Sequence, residues 1–381
     1  MLLEAEIKKH GNFWLPENPD NKIAGELTIF TNGQIQINFV NKDFFHNVDY
    51  FKRVEIRTFT LYGNIENVGK ITAKFYENNC SNKQNSFEIN ANYILIGNLI
   101  EDNNLLCNKL KFSLYNFKTI FSQFKYKKEL IIPINDDKIQ EIIITQEKDK
   151  LVSFEIIAKE YQDIDYLIST ADKIITLLNF IFDTNFYITK MSIYMENITT
   201  YTDIYYSKYK AIYDEDAHCN ILSDLNYDIY YNFELIIKKW LENYQDYRYL
   251  LDLYFYAISK TPMPPRIKFL SLIQIFEAWH VKIDKSEKCL RKRILEALKE
   301  LKYITIISLN SKKTGNLAMS IKNSRDKYTH EASPFSINED LMLYINILEL
   351  ILNVYILEIL GFNNDKIKSI LDSHKSYLYP K

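Results

Sequence analysis

Residues 260–281 read KTPMPPRIKFLSLIQIFEAWHV, and the way this stretch is punctuated decides the fold of everything after it. Pro262, Pro264 and Pro265 forbid a helix running through them, and proline suits the first turn of a new helix, so a helix is expected from about Pro265 to Val281. Downstream, Asp284 with Glu287 has the spacing of a capping box and precedes the apolar face Leu290, Ile294, Leu298 and Leu301. A further helix is expected from about Asn316 to His330, with Ser333-Pro334 biasing the chain away from α geometry just beyond it. Ser336 with Glu339 forms a second capping box, opening a long helix through Leu341, Ile345, Leu348, Leu352, Tyr355 and Ile359 that Gly361 stops. Four helices with short connections make a bundle. Upstream of the prolines, Asn232 to Trp240 and Asp246 to Ser259 read as one or two helices, so a helical domain is expected over 232–381.

The first third is built differently. Glu26 to Phe30 and Gln34 to Phe39 are β-prone runs separated by Thr31-Asn32-Gly33, a signal for a type I′ hairpin. Strands are also expected around Val54 to Tyr62, Lys70 to Tyr76, Tyr93 to Ile96 and Lys111 to Leu114. Six of the eight glycines fall here, where strand-to-strand turns need them. Residues 1–145 are therefore expected to form a β-rich domain, a sandwich or a curled barrel. Between them lies an α/β connector, 146–231: a strand near Val152 to Ile157, a helix with one face made by Ile164, Leu167, Ile168, Ala171, Ile174, Ile175 and Leu178, and a strand near Phe186 to Tyr194. Asp163 is placed as the N-cap of that helix. The Tyr-rich, acidic stretch that follows, to about Tyr231, fits no element. The fold class is thus α+β.

With 381 residues, 47% apolar and 25% charged, the chain can bury full cores and shows no disordered or low-complexity segment. Cys80, Cys107, Cys219 and Cys289 stand far apart with no C-x-x-C pair, which argues against a zinc knuckle, a redox motif or a disulfide framework and fits a reducing, cytoplasmic setting. The N-terminus lacks the pattern of a signal peptide. Asn346, Glu349, Asn353 and Glu358 interrupt the most apolar segment, so no membrane span is expected. No Walker loop, G-x-G-x-x-G, H-E-x-x-H or G-x-S-x-G occurs, and His218 beside Cys219 lacks partners at metal-ligand spacing; neither metal nor cofactor is expected.

Net charge is only -2, yet Lys260 to Lys327 carries 16 Lys and Arg against 6 Asp and Glu, an excess of +10 that leaves the remainder near -12. One part of the molecule is suited to meet phosphate and the rest is not. Inside the basic stretch lies Arg325-Asp326-Lys327-Tyr328-Thr329-His330. An arginine stays charged and offers forked donors to phosphate oxygens, whereas a histidine, with an ordinary pKa of about 6.5, exchanges protons near neutrality. Together they can grip a phosphate group and move a proton beside it. By itself the string reads first as a helix-ending surface pair. Asp326 is either an i,i+4 partner of His330 or the group that orients it, and Glu277 is either a semi-buried acid facing the site or an ordinary boundary glutamate. Lys322, Lys327, Lys288, Arg291 and Lys292 are the candidate RNA-contacting cations, or else a solvated face.

An Arg-x4-His string with a polar residue after the arginine, ending the third helix of a four-helix bundle, resembles the HEPN superfamily of metal-independent ribonucleases. Phe269-Leu270-Ser271-Leu272-Ile273-Gln274-Ile275-Phe276-Glu277-Ala278 is similar to the first HEPN helix. Gly11-Asn12-Phe13-Trp14-Leu15-Pro16, Ile23-Ala24-Gly25-Glu26-Leu27, Tyr62-Gly63 and Gly69-Lys70-Ile71-Thr72 resemble the β-rich domain of the Apea-type branch. The resemblance implies an endoribonuclease acting in antiviral defence by abortive infection, with Arg325, Asp326 and His330 at its site. It also implies a homodimer joined through the helical domain and an N-terminal domain that responds to a phage-derived trigger. Residues five apart on an ideal helix differ by about 140° in azimuth, so Arg325 and His330 do not share a face. One His per chain also leaves either the acid or the base unassigned, and two chains across a symmetric interface would supply both.

Overall fold

A computed structural model of the chain describes residues 6–31, 33–40, 58–76, 80–83, 86–100, 105–114, 117, 129–146, 152–182, 186, 188–196, 198, 200–206, 226–258, 263–283, 288–304, 311–330 and 340–372. Two compact units divide it, Met1–Asn179 with Thr184–His218 and Phe180–Asp183 with Cys219–Lys381.

The first unit is organised by one antiparallel sheet. Its strands are β1 (Ile7–Trp14), β2 (Ile23–Ile29), β3 (Ile35–Phe39), β4 (Thr58–Ile65), β5 (Gly69–Tyr76), β6 (Cys80–Lys83), β7 (Ser86–Ala91), β8 (Tyr93–Ile96), β9 (Leu106–Leu114), β10 (Glu129–Pro133), β11 (Ile139–Gln146), β12 (Val152–Asp163), β13 (Ile188–Met195) and β14 (Thr202–Tyr206). They lie in the order β10-β11-β12-β9-β13-β14-β8-β5-β4-β1-β2-β3-β7-β6, so the sheet is open, with β14 joining its two halves. Residues beyond 146 therefore supply central strands of the same sheet. Ile35, Ile37 and Phe39 alternate inward on β3 and meet Phe13, Leu27, Leu61, Ile71 and Ile89 in one core. The β2–β3 hairpin forms at the expected turn but is not of type I′: the Phe30 N–H donates to the Gln34 carbonyl and the Gly33 N–H to the Phe30 carbonyl, each at 2.9 Å, so the loop spans residues 31–33 and Gly33, at φ 83°, takes the left-handed position that closes a three-residue loop. Asn32 lies outside the described residues.

Phe13 explains two glycines. A Cβ at Gly63 would stand 2.9 Å from Ile71 Cγ1 and 3.0 Å from the Phe13 ring, and one at Gly25 would stand 3.1 Å from the same ring, so the ring occupies the space that two missing side chains leave. Helix α1 (Ile164–Phe182) follows β12, and Asp163 does cap it, its Oδ1 accepting the Asp165 N–H at 2.8 Å. All seven residues of its expected apolar face are buried.

The second unit holds α2 (Asn226–Ile258), α3 (Pro265–Ile283), α4 (Leu290–Ile304), α5 (Ser311–His330), α6 (Leu341–Ile359) and α7 (Asn364–Asp372). α2 is a single continuous helix through Trp240 and Tyr254, both buried, with no break between the two runs expected from the sequence. α5 begins five residues before Asn316 because Gly315, which lowers helix propensity, is tolerated in the second turn. The capping residues Asp284, Glu287, Ser336 and Glu339, together with Ser333-Pro334, lie outside the described residues. α6 is the one described helix long and apolar enough to cross a membrane, but its polar interruptions bind other helices. Lys268 Nζ is 2.6 Å from Glu349 Oε1, and the Tyr254 hydroxyl donates to Asn353 Oδ1 at 2.5 Å. Gly361, at φ 89°, ends α6 in a Schellman turn: its N–H bonds to the Glu358 carbonyl at 2.9 Å, and the Phe362 N–H bonds to the Leu357 carbonyl at 3.1 Å.

Candidate active site

The buried stripe of α5 is Thr314, Ala318, Ile321 and Ser324, spaced by three and four residues as one helix face requires. That stripe sets where the motif residues go. Lys322, Arg325 and Asp326 flank it and are half-buried, whereas Lys327 points into solvent. On α3 the core takes Phe269, Leu272, Ile273, Ile275, Phe276 and Trp279, which leaves Glu277 half-buried at the margin.

These margins meet. Arg325 Nη2 lies 3.5 Å from Glu277 Oε2 and Nη1 lies 3.3 Å from Asp326 Oδ1, while Lys322 Nζ lies 2.5 Å from Asp326 Oδ2. The network therefore runs Glu277, Arg325, Asp326, Lys322, with charges alternating in sign. The Lys322 ammonium, with Arg325 adding to it, holds the Asp326 carboxyl below its ordinary range. Helical side chains tilt toward the N-terminus, so Arg325 leans back along α5 toward Glu277 and away from the helix end. Ion pairs this accessible each contribute at most ~1 kcal/mol, so a phosphate can exchange with either carboxylate as the guanidinium's partner.

Of the sequence candidates, Arg325, Asp326, Glu277 and Lys322 are thus in one network. His330 is the final residue of α5, and its side chain lies outside the described part of the structure. Lys288 is turned to Glu296, with Nζ 2.9 Å from Oε2, while Arg291 and Lys292 are exposed on the first turn of α4. That turn is tied to the network by a residue not among the candidates: Arg293 Nη1 donates to the Glu277 carbonyl at 3.3 Å. His280 packs against Phe276, its Nε2 2.8 Å from the Tyr355 hydroxyl.

A second residue outside the candidates is Arg266, in the first turn of α3. Its Nη2 donates to the Tyr328 carbonyl at 2.6 Å, and its guanidinium lies 5.2 Å from the centre of the Tyr328 ring. No spacing marks Arg266 or Arg293 in the sequence; only membership in the basic stretch does. Among the described residues, no three His, Cys, Asp or Glu side chains are grouped so as to hold a metal ion.

Comparison with known protein families matches residues 8–244 to ApeA N-terminal domain 1 and residues 251–366 to Apea-like HEPN. The division between the two falls inside α2. No curated protein and no solved structure matches the chain.

Proposed function

The chain belongs to the ApeA family, joining an ApeA N-terminal domain to an Apea-like HEPN domain, and from this we propose that it is a metal-independent endoribonuclease of antiviral defence. A HEPN domain supports a nuclease or a nucleotide-binding module; the choice of nuclease rests on one observation, the 3.5 Å pair that Arg325, on the helix that ends in His330, makes with Glu277 of α3. Arg325 grips the scissile phosphate and offsets charge developing on phosphorus. Glu277 and Asp326 hold its guanidinium in a fixed orientation. His330 transfers the protons, its imidazolium protonating the leaving oxygen. The second His330 of a homodimer takes the base role, giving a composite cleft. Lys322, Lys327, Arg291 and Lys292 hold the flanking RNA backbone, with Lys288 contributing once released from Glu296. The setting is the cytoplasm, where RNA cleavage halts growth of an infected cell after the N-terminal domain meets a phage-derived trigger.

The test is incubation of the purified chain with total cellular RNA in EDTA. The wild type is expected to cut, and Arg325→Ala and His330→Ala each to lose at least ~100-fold in rate with helical content unchanged. Cleavage that survives both substitutions would place the chemistry elsewhere. The self-neutralised network also suits a second reading, a non-catalytic HEPN module that binds nucleotide or dimerises. Salt-sensitive RNA binding with no new RNA ends would favour it.

A further inference from the structure

We propose that Arg266 is a positioning residue: it pins the last turn of α5, and thereby the backbone from which His330 projects. This assignment rests on the nuclease reading of the same site. The carbonyls in the last turn of a helix have no intrahelical N–H to accept from, so an unrestrained terminus frays. Here two side chains act on that turn. Arg266 Nη2 donates to the Tyr328 carbonyl at 2.6 Å, and the Thr329 hydroxyl donates to the Arg325 carbonyl at 2.8 Å.

The Arg266 contact is the one made from another helix, and it is doubled. The guanidinium also stacks over the Tyr328 ring at 5.2 Å, and the ring's edge meets Phe269, a fully buried residue of α3, at 6.0 Å. Phe269 in turn meets Tyr344 of α6 at 6.3 Å. The end of α5 is thus tied to the starts of α3 and α6, through a charge-assisted hydrogen bond and a chain of rings. A cation at a helix C-terminus is favourable in itself, which adds to the restraint. His330 is two residues beyond Tyr328, so freedom in this turn passes to the imidazole, and proton transfer is sensitive to displacements of about 1 Å.

Two measurements on the full chain decide the proposal. Amide hydrogen exchange over 322–330 needs no activity. In Arg266→Ala it is expected to quicken at least ~10-fold in the last turn while α6 keeps its protection, and in Arg266→Lys, which keeps a donor but not the planar stack, to quicken less. Cleavage of a short RNA in EDTA should then show kcat falling ~10-fold or more in Arg266→Ala with KM nearly unchanged, and partial recovery in Arg266→Lys. Unchanged exchange overturns the pinning. Faster exchange with unchanged kcat overturns its relevance to catalysis, and a rise in KM alone would make Arg266 a substrate-binding residue. Should Arg266→Ala fail to fold, Tyr328→Leu, which removes the ring platform only, is expected to show the same pair of changes at smaller size, and no change there overturns the proposal. If the wild type cuts no RNA, the nuclease reading and the catalytic role fail together, while exchange still reports the pinning separately.

Discussion

At the scale of single residues, the site is a contest for one guanidinium. Arg325 is shared between Glu277 and Asp326, and Asp326 is shared between Arg325 and Lys322, so each charge has a partner before any RNA arrives. Glu277→Gln keeps the shape but removes the charge that orients Arg325. It is expected to lower kcat ~10-fold without raising KM, because a freed guanidinium still attracts phosphate; unchanged kcat would make Glu277 a purely structural partner. Lys74, 7% exposed on β5, makes a separate prediction. Burial pushes its ammonium down to about 8 from 10.5, against the opposing pull of Asp165 and then Asp163. The unfolded chain therefore binds more protons between those two values, so stability rises with pH across that window and the cost is full below about pH 8. Lys74→Met is expected to raise the melting temperature of the sheet unit at pH 7, by as much as ~3 kcal/mol of stability, with the gain shrinking toward pH 10. A gain independent of pH would mean that packing, not charge, is its source.

At the scale of elements, the legible parts were those with one unambiguous period or one obligatory residue. The β2–β3 hairpin, α1 with its Asp163 cap, and the stop of α6 at Gly361 follow from a glycine, an aspartate and a seven-residue stripe. The illegible ones lack such marks. β1 carries an unbroken run without apolar side chains (Lys8, Lys9, His10, Gly11, Asn12) and so shows no apolar period, although Gly11 pairs with Gly25 across the sheet. β10 and β11 hide their alternation in unbroken runs, and Ile131 is half-exposed between buried Leu130 and Ile132. β14 and the start of α2 sit in a tyrosine-rich stretch whose propensities fit strand and helix alike. The site divides in the same way. Arg325 and Asp326 were legible as a string and Glu277 as a boundary acid, but Arg266 and Arg293 reach the motif only through tertiary packing. Gly361→Ala tests a legible feature: a side chain at φ 89° is strained, and urea unfolding of the helical unit is expected to show a loss of about 1 kcal/mol. No loss would mean that the turn relaxes into another cap.

At the scale of the whole molecule, charge and structure are divided along the chain. The +10 stretch from Lys260 to Lys327 falls entirely within the helical unit, and the acidic remainder includes the whole of the open sheet. The unit that carries Arg325 thereby holds a large local excess of positive charge, and sensing of a trigger is the task we assign to the sheet. The central claim is that side chains of this unit activate the RNA's own 2′-hydroxyl. The most direct measurement uses a short RNA with a single preferred cut site, prepared with either an ordinary or a 2′-O-methyl ribose at that linkage and incubated with the wild-type chain in EDTA. The account predicts that the ordinary RNA is cut to a 2′,3′-cyclic phosphate and that the methylated linkage stays intact. Cutting at the methylated linkage, or products with 3′-hydroxyl ends formed only when a divalent ion is restored, would contradict it.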